Sequence, residues 1–230
     1  MCVSHHSLQT YLRRKMLFLI FFLSVLLLPF QVTWAATWLV SNSYGTTTCN
    51  STVLKCKTIA DAIAAAATDD TIDIAAGIYT EANLTIPTIP SGKSLTIQGA
   101  GAGSTIIQAS NTMPASSPNA SQRVFLISGS TTIKAVTIRY GKMVSGLNQS
   151  ADSGGGIRAG AALTLQDCII TNNLTGYQGG GVKQALGGSV TISKCTIYDN
   201  SSNASSGGFD CHGTITATNN SIIKNTLTNI

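Results

Sequence analysis

Polar and apolar positions alternate through the C-terminal half of the chain, and the alternation itself repeats. Leu163, Leu165, Cys168 and Ile170 are followed by Val190, Ile192, Cys195 and Ile197, then by Ile215, Ala217, Asn220 and Ile222. Alternation over short runs rich in β-branched residues predicts strands with one buried face. The intervening residues repeat too, with Thr164, Thr191 and Thr216 forming one outward column. A further short strand is expected at Ile157, Val182 and Phe209, each just after a run of glycines. The units, 154–173, 179–200 and 207–225, recur with a period of roughly 26 residues, inside the window that marks stacked repeats. A unit of about three short strands cannot bury its own apolar face, so consecutive units must stack. The pattern predicts an all-β chain: a right-handed parallel β-helix, a solenoid with one coil per unit.

Further upstream the period changes. Thr58–Ala67 places Ile59, Ala62, Ile63 and Ala66 on one face, with Thr58 as N-cap and Asp61 where a capping box wants an acid. This predicts a short N-terminal capping helix covering the first coil. Thr37–Ser41 reads as an edge strand, followed by a turn-rich loop to Lys57. Strand alternation resumes at Thr71–Ala75, and Leu95-Thr96-Ile97 and Val136-Thr137-Ile138 align with Cys195-Thr196-Ile197. Two polar excursions, Ser110–Gln122 and Gly141–Ser153, interrupt the coils. In a solenoid such insertions leave the stack at a corner, where binding residues tend to sit.

Composition narrows the picture. The 230 residues are 43% hydrophobic and only 10% charged, with 22 glycines. That suits exposed faces built from hydroxyls and amides rather than from ions. Residues 1–35 read as a signal peptide for the general secretory route. Arg13, Arg14 and Lys15 precede the apolar run Met16–Phe30, and Thr33-Trp34-Ala35 supplies a cleavage site. The run is short of the ~20 residues a membrane span needs. The mature domain is then 36–230, with a capping segment at about 36–70 and coils at about 71–230, secreted or held at the cell surface or outer membrane. Removing residues 1–35 lowers the net charge from +5 to +2. No cluster of Lys or Arg points to nucleic acid, and no membrane span is expected in the mature chain. An export signal permits disulfides. Cys49 and Cys56 close a short loop and are the expected pair, while Cys168 and Cys195 fall on equivalent inward positions of adjacent coils and suit stacked thiols or a bridge.

The N-terminal coils carry a family resemblance. Lys57–Ile63, Asp70–Glu81, Asn83–Ile86 and Ser94–Ile107 follow the order K-T-I-x-x-A-I, D-x-I-x-I-A-x-G-x-Y-x-E, x-L-T-I and S-L-T-I-x-G-x-G-x-G-S-T-I-I. This resembles the pectin-lyase-like right-handed parallel β-helix superfamily. The C-terminal units resemble the repeats of polymorphic outer-membrane-protein adhesins. GGGI, GGGV and GGF stand for one motif, and Ile170-x-x-Asn173, Ile197-x-x-Asn200 and Ile222-x-x-Asn225 for the other, with Ile replacing Phe. The resemblance covers roughly residues 57–230 and implies fold more than activity.

Enzymes of this fold use outward carboxylates clustered on one face; in its lyases these hold calcium beside an Arg or Lys base. The repeats offer Asp152, Asp167, Asp199 and Asp210. By register, Asp167 meets Lys194 and Asp199 meets Lys224 one coil on, which reads as surface ion pairing worth under about 1 kcal/mol each. Gln166-Asp167 is similar to the Gln-Asp of pectin methylesterases, but the following Thr and the downstream Val-Asp-Phe-Ile-Phe-Gly pattern are absent, so no catalytic residue carries over. Asp210-Cys211-His212 brings three ligand types together, yet neighbours in one chain rarely converge on one metal, and no metal site is assigned. Arg139, Tyr177 and Tyr198 project from the repeats and are the candidate carbohydrate-binding residues. Asn173, Asn200 and Asn225 recur at one corner and read as a hydrogen-bonded ladder.

The sequence therefore reads as an exported, non-enzymatic adhesin or carbohydrate-contacting module facing a polysaccharide or cell-surface glycan. The alternative is a polysaccharide lyase, hydrolase or esterase of the same fold, needing calcium only if a lyase. The last coil has no capping helix after Asn225, so a C-terminal partner or a missing segment is expected to cover it.

Overall fold

A computed structural model describes residues 34–45, 49, 52–90, 92–113, 121–144, 150–185 and 187–227. The export signal expected at 1–35 lies almost wholly outside them. Among the described residues no helix is long and apolar enough to cross a membrane.

The chain winds as a right-handed parallel β-helix of four sheets. Sheet A runs in the order Lys55–Cys56, Thr37–Val40, Thr71–Ile74, Leu95–Gly99, Thr131–Lys134, Leu163–Gln166, Ser189–Ser193 and Thr214–Thr218. Sheet B stacks Gly77–Thr80, Thr105–Gln108, Thr137–Arg139, Ile169–Thr171, Thr196–Tyr198 and Ser221–Ile223. Sheet C stacks Leu84–Ile86, Phe125–Ile127, Ile157–Ala159, Val182–Gln184 and Phe209–Cys211. The repeats thus hold four strands rather than three. The fourth forms a narrow sheet D of Lys142–Met143, Leu174–Thr175, Ser201–Ser202 and Thr226–Leu227. These two-residue strands carry too little alternation to stand out as a period.

Register follows the repeat. Leu163 pairs with Val190 and Val190 with Ile215, keeping the apolar column inside. The outward threonine column is longer than the repeats alone indicate, running Thr37, Thr71, Thr96, Thr132, Thr164, Thr191 and Thr216. Leu95-Thr96-Ile97 belongs to this sheet, not to the sheet B column of Val136-Thr137-Ile138. Leu-Thr-Ile suits either sheet, and only the spacing to the next corner separates them. Thr37–Val40 is not an edge strand. Cys49 and Cys56 are joined by a disulfide, and Lys55–Cys56 lies outside Thr37–Val40 as the true edge.

The helix Ile59–Ala65 buries Ile59, Ala62 and Ile63 and packs against the first strands of sheets A and C. Thr58 caps it by accepting from the Asp61 N–H at 3.1 Å, while its hydroxyl donates to the Asp61 carboxylate at 2.6 Å. Glu81 adds a second cap from the next coil, accepting from the Ile59 and Ala60 amides at 2.9 Å. Burial pushes the Glu81 carboxyl up, and those two amides oppose the rise. Asp70 ties the entry of the fold together by accepting from the Ala36 amide, the Trp38 indole and the Ala67 amide.

Two corners repeat in each of the last four coils. Ala135, Asp167, Lys194 and Asn219 take left-handed backbone (φ 52–58°) and precede the inward Val136, Cys168, Cys195 and Asn220. Tyr140, Asn172, Asp199 and Lys224 do the same before Gly141, Asn173, Asn200 and Asn225. The ladder asparagines therefore sit one place after the left-handed residue, with side chains inside. Asn200 Oδ1 accepts from the Asn173 amide at 3.0 Å and from Asn173 Nδ2 at 2.9 Å; Asn225 Oδ1 receives the same pair from Asn200. Cys168 and Cys195 are free, buried thiols rather than a bridge. Contact with the Cys195 sulfur, and then burial, pushes the Cys168 thiol up. In the last coil Ile215, Ile222, Ile223 and Leu227 are about half exposed.

Candidate functional site

Sheet C is the face on which charge is gathered. Its outward column runs Thr85, Leu126, Arg158, Lys183 and Asp210, one residue per coil. Three glycines precede each of Ile157 and Val182. Gly154 and Gly179 take positive φ (70° and 62°) to turn into the strand. A Cβ on Gly156 would lie 2.5 Å from the Gly181 carbonyl of the next coil, so stacking here demands glycine. Both polar excursions lie between a sheet B strand and a sheet C strand in the chain, and the second includes the sheet D strand Lys142–Met143.

Lys183 is the centre of the cluster. Its ammonium contacts Asp210 Oδ1 at 2.5 Å, Gln178 Oε1 at 2.8 Å and His212 Nε2 at 2.9 Å. The side chains of Lys183 and Asp210 are only 5% and 10% exposed, whereas His212 is 42% exposed. Asp210 Oδ2 also accepts from the Ser205 hydroxyl at 2.7 Å. Burial by itself would raise the Asp210 carboxyl; the bonds from Lys183 and Ser205, with the charge of Lys183, outweigh it and hold the group below its ordinary value. With Lys183 donating, His212 Nε2 is the acceptor of that contact.

Within the two coils upstream lies a pair of guanidiniums. Arg123 donates to the carbonyls of Ala151, Ser153 and Gly154 and so holds the end of the second excursion. Burial pushes its pKa down to about 10; the nearby Arg158 charge adds to this and Asp152 opposes it. Arg158 projects from the column itself. Its Nε is buried without a hydrogen-bond partner, as is the Ser153 hydroxyl, and a Cβ on the intervening Gly154 would lie 2.9 Å from Arg158 Cβ.

The residues expected from sequence fall elsewhere. Arg139 and Tyr198 share an outward column on sheet B, separated by Thr171. Arg139 is engaged there: its Nε donates to Gln108 Oε1 at 2.9 Å, and its guanidinium stacks on the Tyr140 ring at 4.6 Å. Gln108 in turn donates to Thr80 at 3.0 Å, so this column is a hydrogen-bonded ladder. Tyr177 lies apart from both, at the corner leading into sheet C beside Gln178, with its carbonyl accepting from the Ala204 and Ser205 amides. The structure does not bring the three together.

The ion pairs expected for Asp167 with Lys194 and Asp199 with Lys224 are not among those formed by the described residues. All four occupy left-handed corners, where the side-by-side geometry of strand neighbours does not apply. Asp167 accepts from Gln166 Nε2 instead. The Gln166-Asp167 dipeptide thus ends a sheet A strand, away from the sheet C cluster. Asp210 and His212 project to the same side of their strand, and Cys211 packs partly against the core; no group of three metal-ligating side chains forms among the described residues. Sequence alone misses Arg158, Lys183 and Gln178. The visible signal is the second position after each glycine run, which reads Arg, Lys and Asp down the repeats.

No protein-family model matches the chain, and no curated protein matches it. Among solved structures it is similar to pectin methylesterase PemA from Erwinia chrysanthemi, at 20% identity and a TM-score of 0.51 over 86% of this chain and 57% of that one. It is also similar to a pectin methylesterase mutant crystallised with a hexasaccharide, at 18% identity and a TM-score of 0.51 over 86% of this chain and 58% of the other. Carrot pectin methylesterase aligns at 18% identity with a TM-score of 0.45, over 82% and 65%. The chain spans a little over half the length of PemA. At these identities the likeness is one of fold: the chain has the pectin-lyase-like right-handed parallel β-helix.

Proposed function

We propose that the chain is an exported β-helix protein that holds an acidic polysaccharide against sheet C, the sugar carboxylates meeting Arg158 and its neighbours. The observation that carries this reading is the column itself, in which Arg158 stands next to Lys183 and no carboxylate pairs with Arg158 among the described residues. A guanidinium offers a planar fork of donors that matches a carboxylate. An anion placed there would also offset the repulsion between Arg123 and Arg158. The similarity to pectin methylesterases, one of them bound to a hexasaccharide, supports a sugar polymer as the ligand class. Titration calorimetry with polygalacturonate is expected to show binding that weakens as salt rises. Absence of binding, or binding indifferent to the charge of the polymer, would overturn the reading.

Asp210 favours a second reading, cleavage of an ester or glycosidic bond on the same face. Its carboxylate is held ionised and lies 3.2 Å from the half-exposed His212, a pairing able to accept and return a proton. Under this reading methyl-esterified polygalacturonate releases methanol or shortened chains, and Asp210→Asn abolishes the release. Binding with no product leaves the first reading alone.

A further inference from the structure

On the other side of the stack, near its N-terminal end, an open groove of about 330 Å³ lies across three adjacent strands of sheet A. Its floor includes one outward column in which Leu39 pairs with Asp73 and Asp73 with Gln98. Neighbouring rungs stand ~4.8 Å apart, so the two polar side chains can reach one small ligand together. Tyr44 forms a wall, with the Lys55 ammonium 5.3 Å from its ring centroid. Ala75 and Ala100 leave exposed apolar patches at the ends of the strands.

Two features distinguish this groove from ordinary strand surface. First, Asp73 and Gln98 are half-buried, yet neither side chain has a hydrogen-bond or ion-pair partner among the described residues. The neighbouring polar columns behave differently: Thr80, Gln108 and Arg139 on sheet B bond to one another, as do Lys183 and Asp210 on sheet C. Second, the groove combines chemistries that one ligand class uses at once. A carboxylate accepts from two hydroxyls, an amide both donates and accepts, and an aromatic ring with small apolar patches receives a C–H face.

We infer that this groove is a binding subsite for a neutral sugar ring, separate from sheet C. Its size stands at the lower end for small-molecule sites, which fits a single ring and its near neighbours rather than a long chain. Charge selects the ligand. The unpaired Asp73 carboxylate disfavours uronates, which the arginines of sheet C favour, so the two faces take different parts of a mixed polysaccharide.

Backbone-amide NMR titration of the chain tests this, with galactotriose and xylotriose as neutral probes and trigalacturonate as the acidic one. The neutral probes are expected to shift the amides of Leu39, Asp73, Gln98 and Ala100. Asp73→Asn and Gln98→Ala each weaken that response roughly tenfold, the scale of one lost hydrogen bond to a charged or amide group. Neither side chain holds the fold together, so both variants keep the wild-type spectrum elsewhere. Trigalacturonate should shift sheet C and leave the groove unmoved. If it binds nowhere while a neutral probe fills the groove, the sheet C proposal fails and the subsite stands. No shift with either neutral probe, or shifts that persist unchanged in both variants, would overturn the subsite.

Discussion

Asn200 shows how much of the stack depends on a single amide. Fully buried, it accepts from two groups of Asn173 and donates to the Ile170 carbonyl of the preceding coil, to its own Tyr198 carbonyl and to Asn225. Replacing it with Ala strands several of those groups away from water, at about 1–3 kcal/mol each. Asn200→Ala should therefore lower stability by roughly 3 kcal/mol or more in denaturant unfolding; a loss within experimental error would mean the ladder is incidental. Asp210 gives a pH signature. Its folded carboxyl lies below the ordinary value, so its contribution is complete above about pH 4 and is lost as pH falls through the folded value. Thermal unfolding should weaken on that acid limb, and Asp210→Asn should flatten it. The ladder is legible in the sequence because its asparagines recur in register. The left-handed positions beside it are not, since Tyr140, Asn172, Asp199 and Lys224 share no residue type, and the helix of the coil imposes the conformation on whichever residue stands there.

At the scale of elements, the capping helix is read correctly from Thr58, Asp61 and its apolar face, all local features. Its second cap is not local. Glu81 reaches the first-turn amides from just past the strand Gly77–Thr80, and nothing in the spacing announces that contact. Glu81→Ala leaves two amides to water or to nothing and should cost about 1 kcal/mol, read as a lower midpoint in urea with an unchanged slope; an unchanged midpoint would show the helix held by Thr58 and packing alone. Sheet C follows the same rule. Its strand positions are evident from the glycine runs, but the grouping of Gln178, Lys183, Asp210 and His212 depends on how one corner meets the next strand. The expected pairing of Asp167 with Lys194 fails for the complementary reason: equal spacing in sequence is not facing in space, and a corner residue does not face its copy.

At the scale of the molecule, a solenoid gives each outward column one residue per coil, so function is written down columns rather than along strands. Three columns differ in kind. Sheet B carries a self-bonded ladder of Thr80, Gln108 and Arg139. Sheet A carries Asp73 and Gln98, unpartnered among the described residues, beside a column of threonines. Sheet C carries Arg158, Lys183 and Asp210. Only the last gathers buried charge beside an arginine that no carboxylate pairs among the described residues. The fold is readable in the sequence through its period, because stacking forces every coil to repeat. The binding face is less so, because its residues need not repeat and change type at every step. The most direct test is calorimetric titration of polygalacturonate into the wild-type chain and Arg158→Ala, with Arg139→Ala as the comparison on sheet B. Arg158→Ala is expected to weaken binding roughly tenfold or more, the scale of one lost charged hydrogen bond, while Arg139→Ala leaves it unchanged. Equal affinity for Arg158→Ala and wild type, or a loss confined to Arg139→Ala, would contradict it.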